Sequence, residues 1–245
     1  MIIEAGLTRY EAVNKEIEKQ LEKQNKVTVK DVNGQRYIGC ALDEGKTIEV
    51  YGTPGNDMAC YLNGGRVVVF GNCQDAVGNT MGGGEIVVHG HSGDAMGYGM
   101  RDGQIYIRDI VACRGGIHMK EFRQMRPVLV IGKNAGSFLG EYMAGGTIVL
   151  LGLDMKRGEK LFGTHCASGM HGGKIVLRCD KAPTDLPRQV LVNEVSADDM
   201  TEFAPYIKEY AQLFGADAEN LLSQKYFVLT PNPEAGYKQL YTFEA

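Results

Sequence analysis

Short apolar runs of three to five residues, each introduced by glycine, recur through the middle of this chain from about Gly52 to Gly173. The strongest copies read GGRVVVFG from Gly64, GGEIVVHG from Gly83, DGQIYIRD from Asp102, GGTIVLLG from Gly145 and GGKIVLRC from Gly172. With the residue before each strand as anchor, the steps are 19 from Gly65 to Gly84, 19 to Gly103, 23 to Arg126, 20 to Gly146 and 27 to Gly173. Two rungs therefore carry insertions. Three residues before the anchor stand Leu62, Met81, Met100, Met143 and Met170, and six before it stand Ala59, Gly78, Gly97, Gly140 and Ala167.

A unit of this size cannot bury its apolar side alone and must stack on its neighbours. The pattern predicts an all-β solenoid, a parallel β-helix with one strand per circuit, each circuit advancing about 4.8 Å. Long Met and Leu side chains in register would line the interior as a ladder. Glycines at the corners would supply backbone with positive φ. The regular Val and Ile runs between the glycines exclude a flexible linker. Steps of 19 to 27 also break the eighteen-residue circuit of the hexapeptide, left-handed β-helix.

The flanks change period. Residues 8–24 predict a helix with a Thr8–Glu11 capping box and Tyr10, Val13, Ile17 and Leu21 on one face, placed over one end of the solenoid. Residues 196–214 predict a second, with Ser196 as N-cap, Asp199 at its third position, Met200, Phe203, Ile207, Tyr210 and Phe214 on one side, and Gly215 as stop. Pro205 is expected to kink or split it. A short helix at Ala218–Leu222 and an extended tail, KYFVLTPNPEAGYKQLYTF, follow, all expected to pack on the other end. The organisation is thus an N-terminal helical cap over 1–25, a solenoid over 26–180 and a C-terminal helical extension and tail over 181–245.

With 245 residues, 44% hydrophobic and 23% charged, the chain has the material for a large core. A net charge of −4 and the lack of a basic cluster interleaved with aromatics argue against nucleic acid. No apolar stretch approaches a membrane span, and the N-terminus is too charged for a secretory signal, so a cytoplasmic protein is expected. Six cysteines, at 40, 60, 73, 113, 166 and 179, contain no CxxC pair. That spacing argues against a zinc knuckle or iron–sulfur cluster. Cys40 and Cys60 lie one rung apart and are expected to be a free stacked pair in a reducing compartment.

Candidate chemistry is sparse. GNTMGGGE from Gly78 and GYGMRDGQ from Gly97 look like phosphate loops, but a strand and not a helix follows each, so corner geometry explains them better. His89, His91 and Asp94 form one metal-ligand grouping and His165, Cys166 and His171 another; rim histidines are the plainer reading of both. No Ser/His/Asp order or GxSxG elbow occurs. The strands carry Val, Ile, Leu and Tyr where a sugar-cleaving β-helix needs paired carboxylates. The insertion with His118, Lys120, Arg123 and Arg126, and the one reading GLDMKRGEKLFGTHCASGMHGG, are candidate ligand or partner loops weighed against plain solvated rims.

The runs GNCQDAVGNTMGGGEIVVHGHSGDAMGYGMRDGQIYIRD and GKNAGSFLGEYMAGGTIVLLG resemble the GXGXG domain at the C-terminal end of the glutamate synthase large (alpha) subunit. The GXGXG-type subunit of formylmethanofuran dehydrogenase is a more distant relative. The segment DDMTEFAPYIKEYAQLFGADAENLLSQKYFVLTPNPEAGYKQL is similar to the helical end of the glutamate synthase subunit. The resemblance implies a single-stranded right-handed parallel β-helix with an N-terminal helix and a C-terminal helical extension, in a structural and assembly role. Its repeat positions are Gly65, Gly78, Met81, Gly84, Gly97, Met100, Gly103, Gly140, Met143, Gly146, Met170 and Gly173. No catalytic, cofactor-binding or metal residue carries over. The implied partners are glutamine amidotransferase-like and FMN-binding glutamate synthase-like chains, with FMN and the iron–sulfur cluster in those partners; in isolation the chain can form a homo-oligomer. A formylmethanofuran dehydrogenase-type complex and an autonomous ligand-binding β-helix with a site near His118 and Arg123 are the rival readings.

Overall fold

A computed structural model describes residues 1–156 and 158–234 of the chain. The end of the predicted tail, from residue 235 on, lies outside the described residues. The chain runs β1 (Ile2–Glu4), α1 (Tyr10–Leu21), β2 (Lys26–Asn33), β3 (Thr47–Thr53), β4 (Asn63–Phe70), β5 (Gly82–Val88), β6 (Asp102–Ile107), β7 (Val128–Ile131), β8 (Ala144–Leu150), β9 (Gly172–Arg178), β10 (Val190–Glu194), α2 (Ala197–Phe214), α3 (Ala218–Leu222) and β11 (Tyr226–Pro231). All strands lie in one sheet ordered β1-β2-β3-β4-β5-β6-β7-β8-β9-β11-β10. Pairing is parallel from β1 to β9 and antiparallel from β9 through β11 to β10. The predicted all-β parallel solenoid is the observed architecture.

Alternation on the strands fixes what lies inside. Ile48, Val67, Ile86, Ile105, Leu129, Ile148 and Ile175 pair in register, as do Val50, Val69, Val88, Ile107, Ile131, Leu150 and Leu177. Both rows are fully buried in the principal core. Behind them stands a second ladder of Leu42, Leu62, Met81, Met100, Met119, Met143 and Met170, also buried. The carbonyls of Leu62, Met81, Met100, Met119 and Met143 accept from the N–H of Gly82, Arg101, Lys120, Ala144 and His171 at 2.7–3.0 Å, so the ladder is held circuit by circuit.

The corners obey a stricter rule. Each corner contains three residues in left-handed backbone, at every second position; Ala76, Gly78 and Thr80 have φ of 57, 67 and 54°. Ala76 and Thr80 donate forward to the carbonyls of Asp94 and Tyr98, while Gly78 donates backward to that of Met58. The same arrangement repeats at Arg114, Gly116 and His118 and at Phe138, Gly140 and Tyr142. A Cβ on Gly78 would stand 2.8 Å from Ile105 Cδ1 and 3.0 Å from Ile86 Cδ1, so the middle position must be small. The outer two face away from the core and vary in size, from Ala76 and Thr80 to Arg114, His118, Phe138 and Tyr142. Corner conformation is therefore not supplied by glycine alone.

The anchor expected at Arg126 is corrected by one residue. Val128 pairs with Gln104 and with Thr147, which puts Pro127 at the anchor and makes the steps 24 and 19. The corner ladder does not feel the insertion, because Gly116 and Met119 follow Gly97 and Met100 at the regular step of 19. The extra residues fall after Met119 and fold as a small excursion closed by the Phe122–Met125 bridge.

The ends also differ from expectation. Helix α1 starts at an Arg9 N-cap with no side-chain cap, so the Thr8–Glu11 box does not form. Thr8 closes a turn on Ala5 through its N–H (2.9 Å), and Glu11 instead receives the Arg9 guanidinium at 2.8 Å. Val13, Ile17 and Leu21 join the principal core beside the first circuits, as a covering helix should. Helix α2 has the expected cap, with Ser196 Oγ accepting from the Asp199 N–H at 3.1 Å, and ends at Gly215 with φ 72°. It continues through Pro205 and is not split.

The placement of α2 is a further correction. Phe203, Ile207, Tyr210 and Ala211 pack on Tyr106, Val130, Val149 and Val176, the outward residues of β6 to β9. Helices α2 and α3 thus lie on the outer face of the sheet. It is the antiparallel β11–β10 pair, through Leu229 and Val190, that extends the principal core at the far end.

Two glycine substitutions and one in the Met ladder separate these causes. Gly84 has φ 90°, and a Cβ there would lie 2.2 Å from the Gly65 carbonyl oxygen; Gly84→Ala is expected to cost about 3 kcal/mol or more. Gly82 has open space around it, and Gly82→Ala should change stability by about 0.5 kcal/mol or less. Met119→Ala, which empties the ladder position hidden by the insertion, should cost about 2–5 kcal/mol. Denaturant unfolding of the three variants measures all of these.

Candidate functional site

The groups that sequence reasoning set apart do not converge. His89 continues strand β5 on the outer face, where it stacks on Phe70 at 4.8 Å and meets the edge of Phe214 at 5.1 Å. Burial, and after it the charges of Arg108 and Arg66, lowers its pKa. Asp94 accepts the Cys113 N–H at 2.9 Å in a stack that begins with Asn56 receiving the Asp75 N–H and Asp75 receiving the Asp94 N–H. The His91 N–H goes to Asn72 Oδ1 in the same way. These carboxylate and amide groups hold successive circuits together.

His165 stacks on Phe138 at 4.9 Å on the outside of a corner. Cys166, next to it, is buried inside, and burial pushes its thiol up to about 12. Adjacent residues on opposite faces cannot share an ion. Among the described residues, no group of three or more His, Cys, Asp or Glu side chains is placed to hold a metal.

His118 belongs to the corner ladder. It stacks on Tyr142 at 5.2 Å and meets Tyr98 edge-on at 5.8 Å. Arg123 stands over Phe122 at 5.0 Å on the excursion, and the Arg126 N–H donates to Asp102 Oδ1 at 3.0 Å. These contacts engage the insertion locally and bring no ligand cage together. Neighbouring corners add Arg114 over the Phe138 ring at 5.0 Å. The repeat residues Gly65, Gly84, Gly103, Gly146 and Gly173 stand at strand entries, with Met81, Met100, Met143 and Met170 inside and Gly78, Gly97 and Gly140 at the corners.

What the sequence reading missed is an aromatic row on the outer face. Tyr51 and Phe70 are paired in register, stack at 4.6 Å and are each 39% exposed. Phe70 continues to His89 and, through Phe214, to Tyr210 at 4.8 Å. Tyr210 donates its hydroxyl to the Arg108 carbonyl at 2.9 Å, which fixes α2 to the sheet. The signal was present, since Tyr51, Phe70 and His89 each follow the apolar run of their own strand. Above Tyr51 a shallow concavity of about 920 Å³ is lined by Leu7, Lys30, Asp31, Asn33 and Glu49.

Comparison with known proteins gives the same outline. The sequence model of the GXGXG motif matches residues 7–231. An uncharacterized protein of Methanocaldococcus jannaschii is 41% identical over 251 aligned residues, covering 99% of this chain and 96% of the relative. Among solved structures, a chain of the formyltransferase/hydrolase complex FhcABCD from Methylorubrum extorquens, crystallised with methylofuran, superposes with a TM-score of 0.60. It is 20% identical, with 82% of this chain and 71% of that chain covered, which establishes likeness of fold. No helix among the described residues is long and apolar enough to cross a membrane.

His89 makes the row pH-sensitive. Its folded pKa lies below the unfolded value near 6.5, so its contribution is complete above that value and is lost as pH falls through it toward the folded pKa. Urea midpoints should therefore drop between pH 7.5 and 5.5, and His89→Phe should shrink that drop.

Proposed function

The chain belongs to the GXGXG motif family, and from that premise we propose that it is a non-catalytic assembly subunit of a multi-chain enzyme. Its partners in this reading are a glutamine amidotransferase-like chain and an FMN-binding glutamate synthase-like chain, which form glutamate from glutamine and 2-oxoglutarate. FMN and the iron–sulfur cluster belong to those partners, and the complex is cytoplasmic. The observation that supports the reading is the extent of the family match, residues 7–231, which takes in both the solenoid and the C-terminal extension. The polar side chains of that module bond circuit to circuit, as Asp75 and Asp94 do.

A stacked solenoid suits such work because its stiffness is already present before assembly. Little conformational entropy is lost when it holds two partners at a fixed spacing. A second reading is a component of a formylmethanofuran dehydrogenase-type complex, comparable to its GXGXG-type subunit. It is favoured by the fold neighbour in FhcABCD. An autonomous ligand site at His118 and Arg123 has less support, since His118 is held between Tyr98 and Tyr142.

Affinity capture of the tagged full-length chain from its own cells separates these readings. An amidotransferase-like chain and a flavin-containing chain should co-elute in near-equal amounts, and yellow colour should follow the flavoprotein. Formyltransferase/hydrolase-type chains in their place would select the second reading. Conversion of glutamine and 2-oxoglutarate to glutamate by the purified chain alone would overturn the non-catalytic role.

A further inference from the structure

Cys40 and Cys60 occupy the same position on consecutive circuits. Gly39 and Ala59, both left-handed, precede them, and the Ala41 N–H donates to the Cys60 carbonyl at 2.9 Å. Stacked circuits stand about 4.8 Å apart, inside the Cα separation that a disulfide spans, roughly 4.4–6.8 Å. Cys40 is exposed and Cys60 is buried beneath it, 3% accessible. Cys73 and Cys166, by contrast, are enclosed in the solenoid interior.

Cys40 also lines a crevice. Helix α1 lies against the first circuits but leaves a space of about 290 Å³ bordered by Tyr10, Asn14, Ile17, Tyr37 and Cys40. Asn14 Oδ1 is buried there without a hydrogen-bond partner, while its Nδ2 donates to the Arg36 carbonyl at 2.8 Å. The crevice gives a small disulfide-bearing molecule a place to stand against the exposed Cys40 thiol.

We propose that Cys40 and Cys60 form a dithiol–disulfide site that exchanges with a low-molecular-weight disulfide of the glutathione kind. The thiolate of Cys40 attacks one sulfur of the small disulfide, the S–S bond breaks, and one small thiolate leaves, giving a mixed disulfide at Cys40. The sulfur of Cys60 then attacks Cys40 Sγ. Its proton goes to the departing small thiolate, and the second small thiol is released. Two protein thiols are oxidised to one disulfide and one small disulfide is reduced to two thiols. Cys40 is exposed while Cys60 is buried, and burial pushes the Cys60 thiol up to about 12, so Cys40 is the sulfur that a small disulfide reaches first. The product would lock the first two circuits to each other under α1.

The test is incubation of the folded, reduced full chain with oxidised glutathione, followed by intact mass and peptide mapping without reductant. Trypsin cuts after Arg36, Lys46 and Arg66, so each cysteine falls in its own peptide. The expected result is a mass loss of about 2 Da, two hydrogens, and one cross-linked species joining residues 37–46 to 47–66. Cys40→Ser, a change at an exposed position, should abolish that species, and Cys60→Ala should leave a stable glutathione adduct on Cys40. A persistent adduct on Cys40 of the unmutated chain, a cross-link involving any other cysteine, or no change in mass would each overturn the proposal. The unmutated chain decides it even where a variant fails to fold.

Discussion

Everything in this molecule depends on how backbone N–H and C=O groups are satisfied where the chain turns away from the sheet. Strands satisfy them along one wall. The corners must do so without a strand, and an unpaired buried group costs as much as a lost hydrogen bond. Left-handed residues at every second position turn successive N–H groups toward the circuit above and the circuit below, as Ala76, Gly78 and Thr80 do. That alternation also sends side chains alternately in and out. The inner position must then be small, because Ile86 and Ile105 fill the space beside it, while the outer positions are free in size and carry Arg114, His118, Phe138 and Tyr142.

The sequence makes the rule legible where both rows advance together. Gly78 and Gly97, Met81 and Met100, and Gly84 and Gly103 repeat at one step, and the solenoid and its Met ladder can be read from them. Legibility fails where a row of strands and a row of corners are separated by an insertion. Met119 and Gly116 keep step with the corners, but counting backward from β7 passes through the excursion and lands on Gln124. Local spacing likewise hides the start of α1, since Thr8 and Glu11 have the right separation for a cap, but Thr8 turns onto Ala5 and Glu11 pairs with Arg9. Tertiary placement of α2 was also beyond periodicity. An amphipathic face states that a helix will be covered, and leaves open whether a sheet face or a solenoid end covers it.

Of the candidate site, the sequence marked the right residue types and joined the wrong ones. His89, His91 and Asp94 are close in number, yet one extends a strand and another ties circuits together. In a solenoid the neighbours that matter lie one circuit away. Tyr51, Phe70 and His89 are 19 apart and touch, as do Phe138 and His165 at a step of 27. Cys40 and Cys60 follow the same logic, and there the sequence did point to a stacked pair.

If the chain works as an assembly subunit, the outer face is the part of this geometry open to a partner. Helix α2 covers the outward residues of β6 to β9 and reaches as far as His89 through Phe214. Beyond that point the aromatic row continues uncovered over β4 and β3. Tyr51 and Phe70 stack on each other, which keeps their rings fixed without an overlying element. Rigid aromatic rings lose little side-chain entropy on being buried, so such a row favours contact with another surface over contact with water. A module whose polar groups are used to bind its own circuits retains its outward rows as the places where chemistry or contact can vary, and those rows leave the stacked interior unchanged.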